Sequence, residues 1–226
     1  WGDYDNDNDF DLYLSNWGDN KLFRNDGDGF SDVSDIYHVH SDSLSNGAGW
    51  GDFNNDGKLD LWSCNIRIND DLFMNDEDVE WNNDYSPNFL TATQDVIVAD
   101  YNNDGWIDAF TPGLEMINPP PGPKYSSLLY KNITPDSTDN FNNWVKINLE
   151  GAHNGISNDG WSSKSNKSAI GARVIITLFD GTIQSREIIA GKGHGSMDAL
   201  ELHYGLGSSS QIQNIVVRWP SRNQFT

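Results

Sequence analysis

The chain has 226 residues, nine of them tryptophan, and a formal charge of −20. Such acidity excludes phosphate backbones and anionic lipid surfaces as natural partners. An aromatic content of 12% excludes a disordered chain. The charge is unevenly spread: residues 1–143 hold 28 of the 34 acidic side chains but only 6 of the 14 basic ones. The chain therefore divides near Asn143 into an acidic part and a near-neutral part. No apolar run approaches the ~20 residues that span a bilayer, so membrane insertion is not expected, and the acidity leaves nucleic-acid binding unexpected too. Cys64 is the single cysteine, which rules out an intrachain disulfide and reads as a buried thiol in a strand. Residue 1 is Trp rather than Met, so the chain reads as a mature or truncated piece of something longer.

In chain order, the first feature is GDYDNDNDFDLY (2–13), which sets Asp3, Asp5, Asp7 and Asp11 at positions 1, 3, 5 and 9 of a loop. The alternating segment FDLYLS follows it as a half-buried strand, and LFRN (22–25) as a second landmark. NDGDG (25–29) reads as a turn. NGAGWGD (46–52) then leads into GDFNNDGKLDLW (51–62), which places Asp52, Asn54, Asp56 and Asp60 at the same offsets. LDLWSC and LFMN (72–75) repeat the two later landmarks. DVIVAD (95–100) leads into ADYNNDGWIDAF (99–110), with Asp100, Asn102, Asp104 and Asp108, followed by IDAFTP and LYKN (129–132). The third unit carries a Pro-rich insertion at 113–127, expected as an exposed loop.

A period of about 48 residues with several short strands per unit is the signature of a β-propeller blade. The units run over about 1–45, 46–94 and 95–143. Propellers close with about four to eight blades, and three make no such ring. Further blades upstream in a longer chain, or a cover over the open edges, are expected. Self-assembly through those edges is the other outlet.

From residue 144 the pattern changes to a separate all-β module, a small sandwich or barrel. WVKINLEG, AIGARVIITLFDG, TIQSREIIAGKG, ALELHYGLG and IQNIVVRWP read as five strands. Asp180-Gly181 is a hairpin turn, since both residues tolerate positive φ. Residues 151–168 form a polar loop between the first two of these strands.

Carboxylates crowded this closely repel, and a hard cation would hold them. Calcium takes six to eight oxygens at about 2.3–2.6 Å, and a curling loop supplies them from alternate positions. Position 7 would contribute its backbone carbonyl, from Asp9, Lys58 and Trp106. Gly57 and Gly105 supply the sharp turn at position 6, where the first loop has Asn8, the next best residue for a left-handed backbone. Magnesium keeps its waters and fits less well. The loops are not EF-hands, because position 12 is Leu14, Ser63 or Thr111 rather than a bidentate Glu. About three calcium ions are expected, each in a closed local loop.

At these residues the chain resembles FG-GAP/VCBS repeats, the calcium-binding blades of integrin-like β-propellers, and LFRNDGDGFSDV resembles the later part of such a repeat. Residues 165–221 resemble the ASPIC/UnbV domain through Asn166, AIGARV, REIIAGKGHGS, LHYGLG and VVRWPS. The combination is similar to the cartilage acidic protein family and its bacterial relatives. Three departures stand out: the first repeat lacks its opening strand, Asn8 replaces glycine, and Arg222 stands where members continue with glycine. The resemblance implies an extracellular, cell-surface or periplasmic location and a secreted, non-enzymatic module for adhesion, matrix assembly or protein or glycan binding. A polysaccharide-acting enzyme, or its accessory domain, and a structural subunit of an extracellular assembly are the alternatives.

Other side chains point less clearly to chemistry. His38 and His40 alternate on a strand-like face without a third ligand. His194 lies in GKGHGS, which lacks the Lys-Ser/Thr and helix of a phosphate cradle. His203 packs in a strand, and Ser196 has no identifiable base. Trp1, Trp17, Trp50, Trp62, Trp81 and Trp106 could stack sugars, although blade aromatics more often fill cores. Asn132 and Asn166 head glycosylation sequons.

Overall fold

Alternating apolar and polar residues, broken by Asp/Asn/Gly loops, fold into short antiparallel strands. A computed structural model describes residues 1–40, 44–66, 69–75, 92–113, 127–133, 142–151, 166–193 and 195–220. Most of the 113–127 insertion, most of the 151–168 loop, Trp81, His194 and Arg222 lie outside the described residues.

Among the described residues, three successive three-stranded sheets occupy the acidic part. The first joins β1 (Leu12–Leu14), β2 (Lys21–Asn25) and β3 (Phe30–Asp32). A one-turn helix, α1 (Ser34–Tyr37), follows it. The second joins β4 (Leu44–Gly51), β5 (Asp60–Ile66) and β6 (Asp71–Phe73). The third joins β7 (Ile97–Ala99), β8 (Asp108–Thr111) and β9 (Leu128–Tyr130).

Registers repeat between these sheets. Each acidic loop closes a hairpin between the residue before position 1 and position 9: Gly2 pairs with Asp11, Gly51 with Asp60, and Ala99 with Asp108. The first unit is thus not wholly without its opening strand, since Gly2 and Asp11 exchange backbone hydrogen bonds of 3.1 and 2.8 Å. The NDGDG stretch turns between β2 and β3, with Asp26 N–H donating to the Gly29 carbonyl.

The core lies between neighbouring sheets. Tyr4, Tyr13 and Leu22 of the first unit pack with Leu59, Leu61 and Phe73 of the second. Phe53, Trp62 and Leu72 of the second pack with Val96, Val98 and Ile107 of the third. Loop position 2 therefore sends its aromatic ring into the following unit. Tyr101, the third occupant of that position, is 49% exposed.

The C-terminal part adds β10 (Asn143–Ile147), β11 (Arg173–Leu178), β12 (Ile183–Glu187), β13 (Leu202–Gly207) and β14 (Ile212–Arg218). All five expected strands form. They make two sheets, β10–β13 and β12–β11–β14, around Val174, Ile176, Ile188 and Tyr204. Among the described residues no sheet closes into a barrel. Asp180-Gly181 makes the β11–β12 turn, with φ +95° at Gly181.

His38 corrects an expectation. It does not alternate with His40 on a strand; it caps α1 in the left-handed region at φ 53°. The short amphipathic stretch SDIY closes one helical turn between β3 and β4, too brief to show a helical period in sequence.

Candidate metal centre

Each acidic loop is built from the same local hydrogen bonds. The position 1 carboxylate accepts backbone N–H groups from across the loop. Asp52 takes those of Asp56 and Gly57 at 3.0 and 2.9 Å, and Asp100 those of Asp104 and Gly105 at 3.1 and 2.8 Å. Asp3 takes that of Asn8 at 3.3 Å. At position 3, Asp5, Asn54 and Asn102 each accept the N–H two residues on, and at position 5 Asp7, Asp56 and Asp104 do the same. These Asx turns wind the chain so that its oxygens face inward. Asn8, Gly57 and Gly105 at position 6 have φ of 77°, 97° and 89°, the left-handed turn that their residue types permit.

Position 9 does something the sequence did not reveal. Asp11, Asp60 and Asp108 each accept the N–H of loop position 2 on one oxygen, from Tyr4, Phe53 and Tyr101 at 3.0, 2.8 and 3.2 Å. The other oxygen accepts the N–H of Asn25, Asn75 or Asn132 at 2.9, 2.8 and 2.8 Å. Position 9 thus ties the loop's entry to the end of β2 in the first unit and to the residue two beyond β6 or β9 in the others. A carboxylate has about four acceptor sites, so these two bonds leave capacity for an ion.

The three loops are joined rather than closed. Asn6 donates to the Gly57 carbonyl at 3.1 Å, and Asn55 to the Gly105 carbonyl at 3.0 Å. Asn75 donates back to the Tyr4 carbonyl, and Asn132 to that of Phe53, at 2.8 and 2.7 Å. The position 4 residues Asn6, Asn55 and Asn103 all have φ near 60°. Asn at position 4 of all three loops was the available sequence signal. Asn132 and Asn166 head sequons, yet both amides are committed within the fold, Asn166 to Ile170 through two bonds of 2.7 Å.

The first loop brings carboxylates closest. Asp3, Asp5 and Asp11 offer oxygens that all lie within 4.8 Å of one another, the only such group among the described residues. Oxygens sharing one calcium at about 2.3–2.6 Å stand up to about 5 Å apart, so this spacing fits. Asp3 Oδ2 is buried without a hydrogen-bond partner, an acceptor that a cation would satisfy. The side chains at position 7, Asp9, Lys58 and Trp106, share no chemistry, and Trp106 is buried. A carbonyl ligand is indifferent to such variation.

Electrostatics agree with the crowding. Burial pushes Asp3 up to about 6 against the pull of Arg186, and pushes Asp11 up to about 7. Burial and then the Asp56 charge push Asp52 up to about 7, and burial and the Asp52 charge lift Asp60 well above the carboxylate range. Asp108 is raised by burial. Asp100 alone runs the other way: burial raises it, but bonds from the Lys146 ammonium and Gly105 N–H outweigh that and leave it low.

The C-terminal strands cover these loops. Gly205 N–H donates to Asp52 Oδ2 at 3.0 Å and Gly207 N–H to the Asn55 carbonyl at 2.8 Å. The Arg173 guanidinium bonds the Asn8 carbonyl and lies 4.2 Å from the Phe10 ring centre.

Sequence comparison matches a stretch within each part. Residues 3–63 match the FG-GAP-like repeat, and residues 162–226 match the ASPIC and UnbV domain. An FG-GAP-like stretch is thus followed by an ASPIC- and UnbV-like one. Among curated proteins none matches it. FG-GAP repeats are blades of β-propellers and are typical of extracellular proteins, so this is an extracellular-type, β-rich module. Among the described residues, no helix is long and apolar enough to cross a membrane.

The remaining candidates fall into place around the FG-GAP loops. His203 Nε2 lies 3.0 Å from the Gly105 carbonyl, so this strand histidine packs on the third loop. Ser196 Oγ donates to Asp95. Trp62 and Trp106 are core, Trp50 packs beside the first core, and Trp1 and Trp17 are exposed. A cavity of about 400 Å³ opens between the FG-GAP sheets and the ASPIC and UnbV strands, with Trp50 and Arg186 in its wall.

Proposed function

We propose that the chain is a calcium-stiffened, non-enzymatic binding module of the extracellular type, whose FG-GAP loops hold the ions and whose partner is an extracellular protein or glycan. The observation that carries the reading is the Asp3–Asp5–Asp11 group, with its oxygens within 4.8 Å and a buried, unpartnered Asp3 Oδ2. Asp3, Asp5, Asp7 and Asp11 would hold the first ion, and Asp52, Asn54, Asp56 and Asp60 the second, with the position 7 carbonyls completing each set. A bound ion supplies charge neutralisation that the burial of these carboxylates otherwise lacks. Because neighbouring loops are hydrogen-bonded to one another, an ion in one stiffens the joint to the next. Extracellular calcium is millimolar, a regime suited to loops rich in ligands but partly open to solvent.

Thermal melts of the whole chain with calcium and with chelator test the reading. The expected result is a chelator-sensitive transition in residues 1–143 and a much smaller change in residues 144–226. Identical melts in both media would sink it.

A further inference from the structure

We propose that the third acidic loop takes its cation from the chain itself: the Lys146 ammonium occupies the loop's anionic mouth, and calcium fills only the first two loops. The inference rests on the calcium reading above and departs from the expectation of three ions.

Lys146 reaches Asp100 Oδ2 at 2.7 Å, Asn103 Oδ1 at 3.0 Å and Glu201 Oε1 at 3.2 Å. An ammonium has three N–H donors, and these acceptors use them all. Its side chain is only 12% exposed, and that of Asp100 only 1%. Lysines at a surface ordinarily extend the charged end into water. Here the charge is turned inward, onto position 1 of the loop.

The strand around Lys146 fixes it there. β10 pairs with β13 so that Lys146 stands opposite His203, and His203 bonds the Gly105 carbonyl of the same loop. Trp144, two residues before Lys146, stacks on His203 and fills the space where a Cβ on Gly105 would lie. Three side chains of the ASPIC and UnbV strands therefore grip one loop, with the ammonium at the centre of the grip.

Equivalent positions in the other loops are met differently. Asp3 Oδ2 is buried without a partner, and Asp52 Oδ2 accepts the backbone N–H groups of Gly57 and Gly205. The Arg186 guanidinium acts on both carboxylates from nearby without an ion pair to either, so neither is capped by a bonded cation as Asp100 is. A second ammonium, Lys131, lies 3.9 Å from Asp104 Oδ2 of the third loop. A divalent ion bound beside Asp100 would sit within a few ångströms of Lys146, where a partly buried like charge is poorly screened. The third loop thus serves as a calcium-independent latch for the C-terminal strands.

Counting bound calcium on the full chain by native mass spectrometry tests this. The wild type should carry two ions, Asp104→Asn should still carry two, and Lys146→Met should gain one, with its fold checked by circular dichroism. Three ions in the wild type, falling to two in Asp104→Asn, would overturn the latch while leaving the calcium reading intact. The Asp104→Asn comparison decides the matter even if Lys146→Met does not fold. A wild type that binds no calcium would remove the calcium reading itself.

Discussion

Asn55, fully buried in the second acidic loop, donates its side-chain N–H to the Gly105 carbonyl of the third loop, 3.0 Å away. Asn6 makes the same bond to Gly57 one unit earlier. The loops are therefore links of one chain of contacts. Asn55→Gly keeps the left-handed backbone, φ 58°, and removes only the amide. It should destabilise the protein by about 1–3 kcal/mol, the cost of a lost buried hydrogen bond. Urea unfolding followed by tryptophan fluorescence checks this, and an unchanged midpoint would contradict the joint.

Gly205 marks how closely the C-terminal strands approach the second loop. A Cβ there would lie 2.2 Å from Asp52 Oδ2 and 2.4 Å from the carbonyl carbon of Asn55. Gly205→Ala should prise the two parts apart, at a cost of about 1–3 kcal/mol or more, and expose the junction near Asn143 to protease. Gly181→Ala is the comparison: nothing lies within 4 Å of its Cβ, so only the strain of φ +95° applies, about 1–2 kcal/mol. Equal protease sensitivity in the two variants would refute the close approach.

Raised carboxyl pKa values give a pH dependence with a definite sign. Asp3 is pushed up to about 6, and Asp11 and Asp52 to about 7, against about 3.9 in an unfolded chain. The folded state then holds more protons than the unfolded one between these values, so stability falls as pH rises through them. With chelator present, the protein should be less stable at pH 8 than at pH 5, by at least the roughly 1.4 kcal/mol of one pKa unit. Calcium competes with those protons, so adding it should raise stability more at pH 8 than at pH 5. Paired denaturation curves at the two values measure both effects; a chelated protein more stable at pH 8 would reverse the sign.

Cys64 reports on the same region. It is fully buried in β5, and burial pushes its thiol well above the ordinary range. Thiolate is the reactive form, so the folded protein should resist alkylation. Labelling by a maleimide should be slow in calcium and faster in chelator, tracking the opening of the second sheet. Rapid labelling in calcium would place the thiol elsewhere.

Much of this was legible in the sequence because it is local. The Asp/Asn offsets in 2–13, 51–62 and 99–110 recur in phase with the apolar alternation, and both follow from chain geometry within a few residues. The five C-terminal strands were legible for the same reason. What stayed hidden is non-local. Asp60 looks like any other loop carboxylate until Asn75 arrives from just beyond β6 to share it. Nothing local to WVKINLEG marks Lys146, and only the docking of β10 brings it to Asp100. His38 was misplaced because a single helical turn leaves no periodic trace.

The aromatic ring and the asparagine that join one unit to the next have a bearing on how such chains grow. Tyr4 and Phe53 are each held by the unit that follows, whose Asn75 or Asn132 reaches back to the same residue's carbonyl. The second unit thus offers a half-socket behind and a half-plug ahead, cut in the same phase. A duplication or deletion spanning one whole period mates the halves again and strands no buried polar group, whereas a break inside the period leaves both unmatched. The joint thereby constrains the length of such a change to whole periods, wherever along the chain it begins.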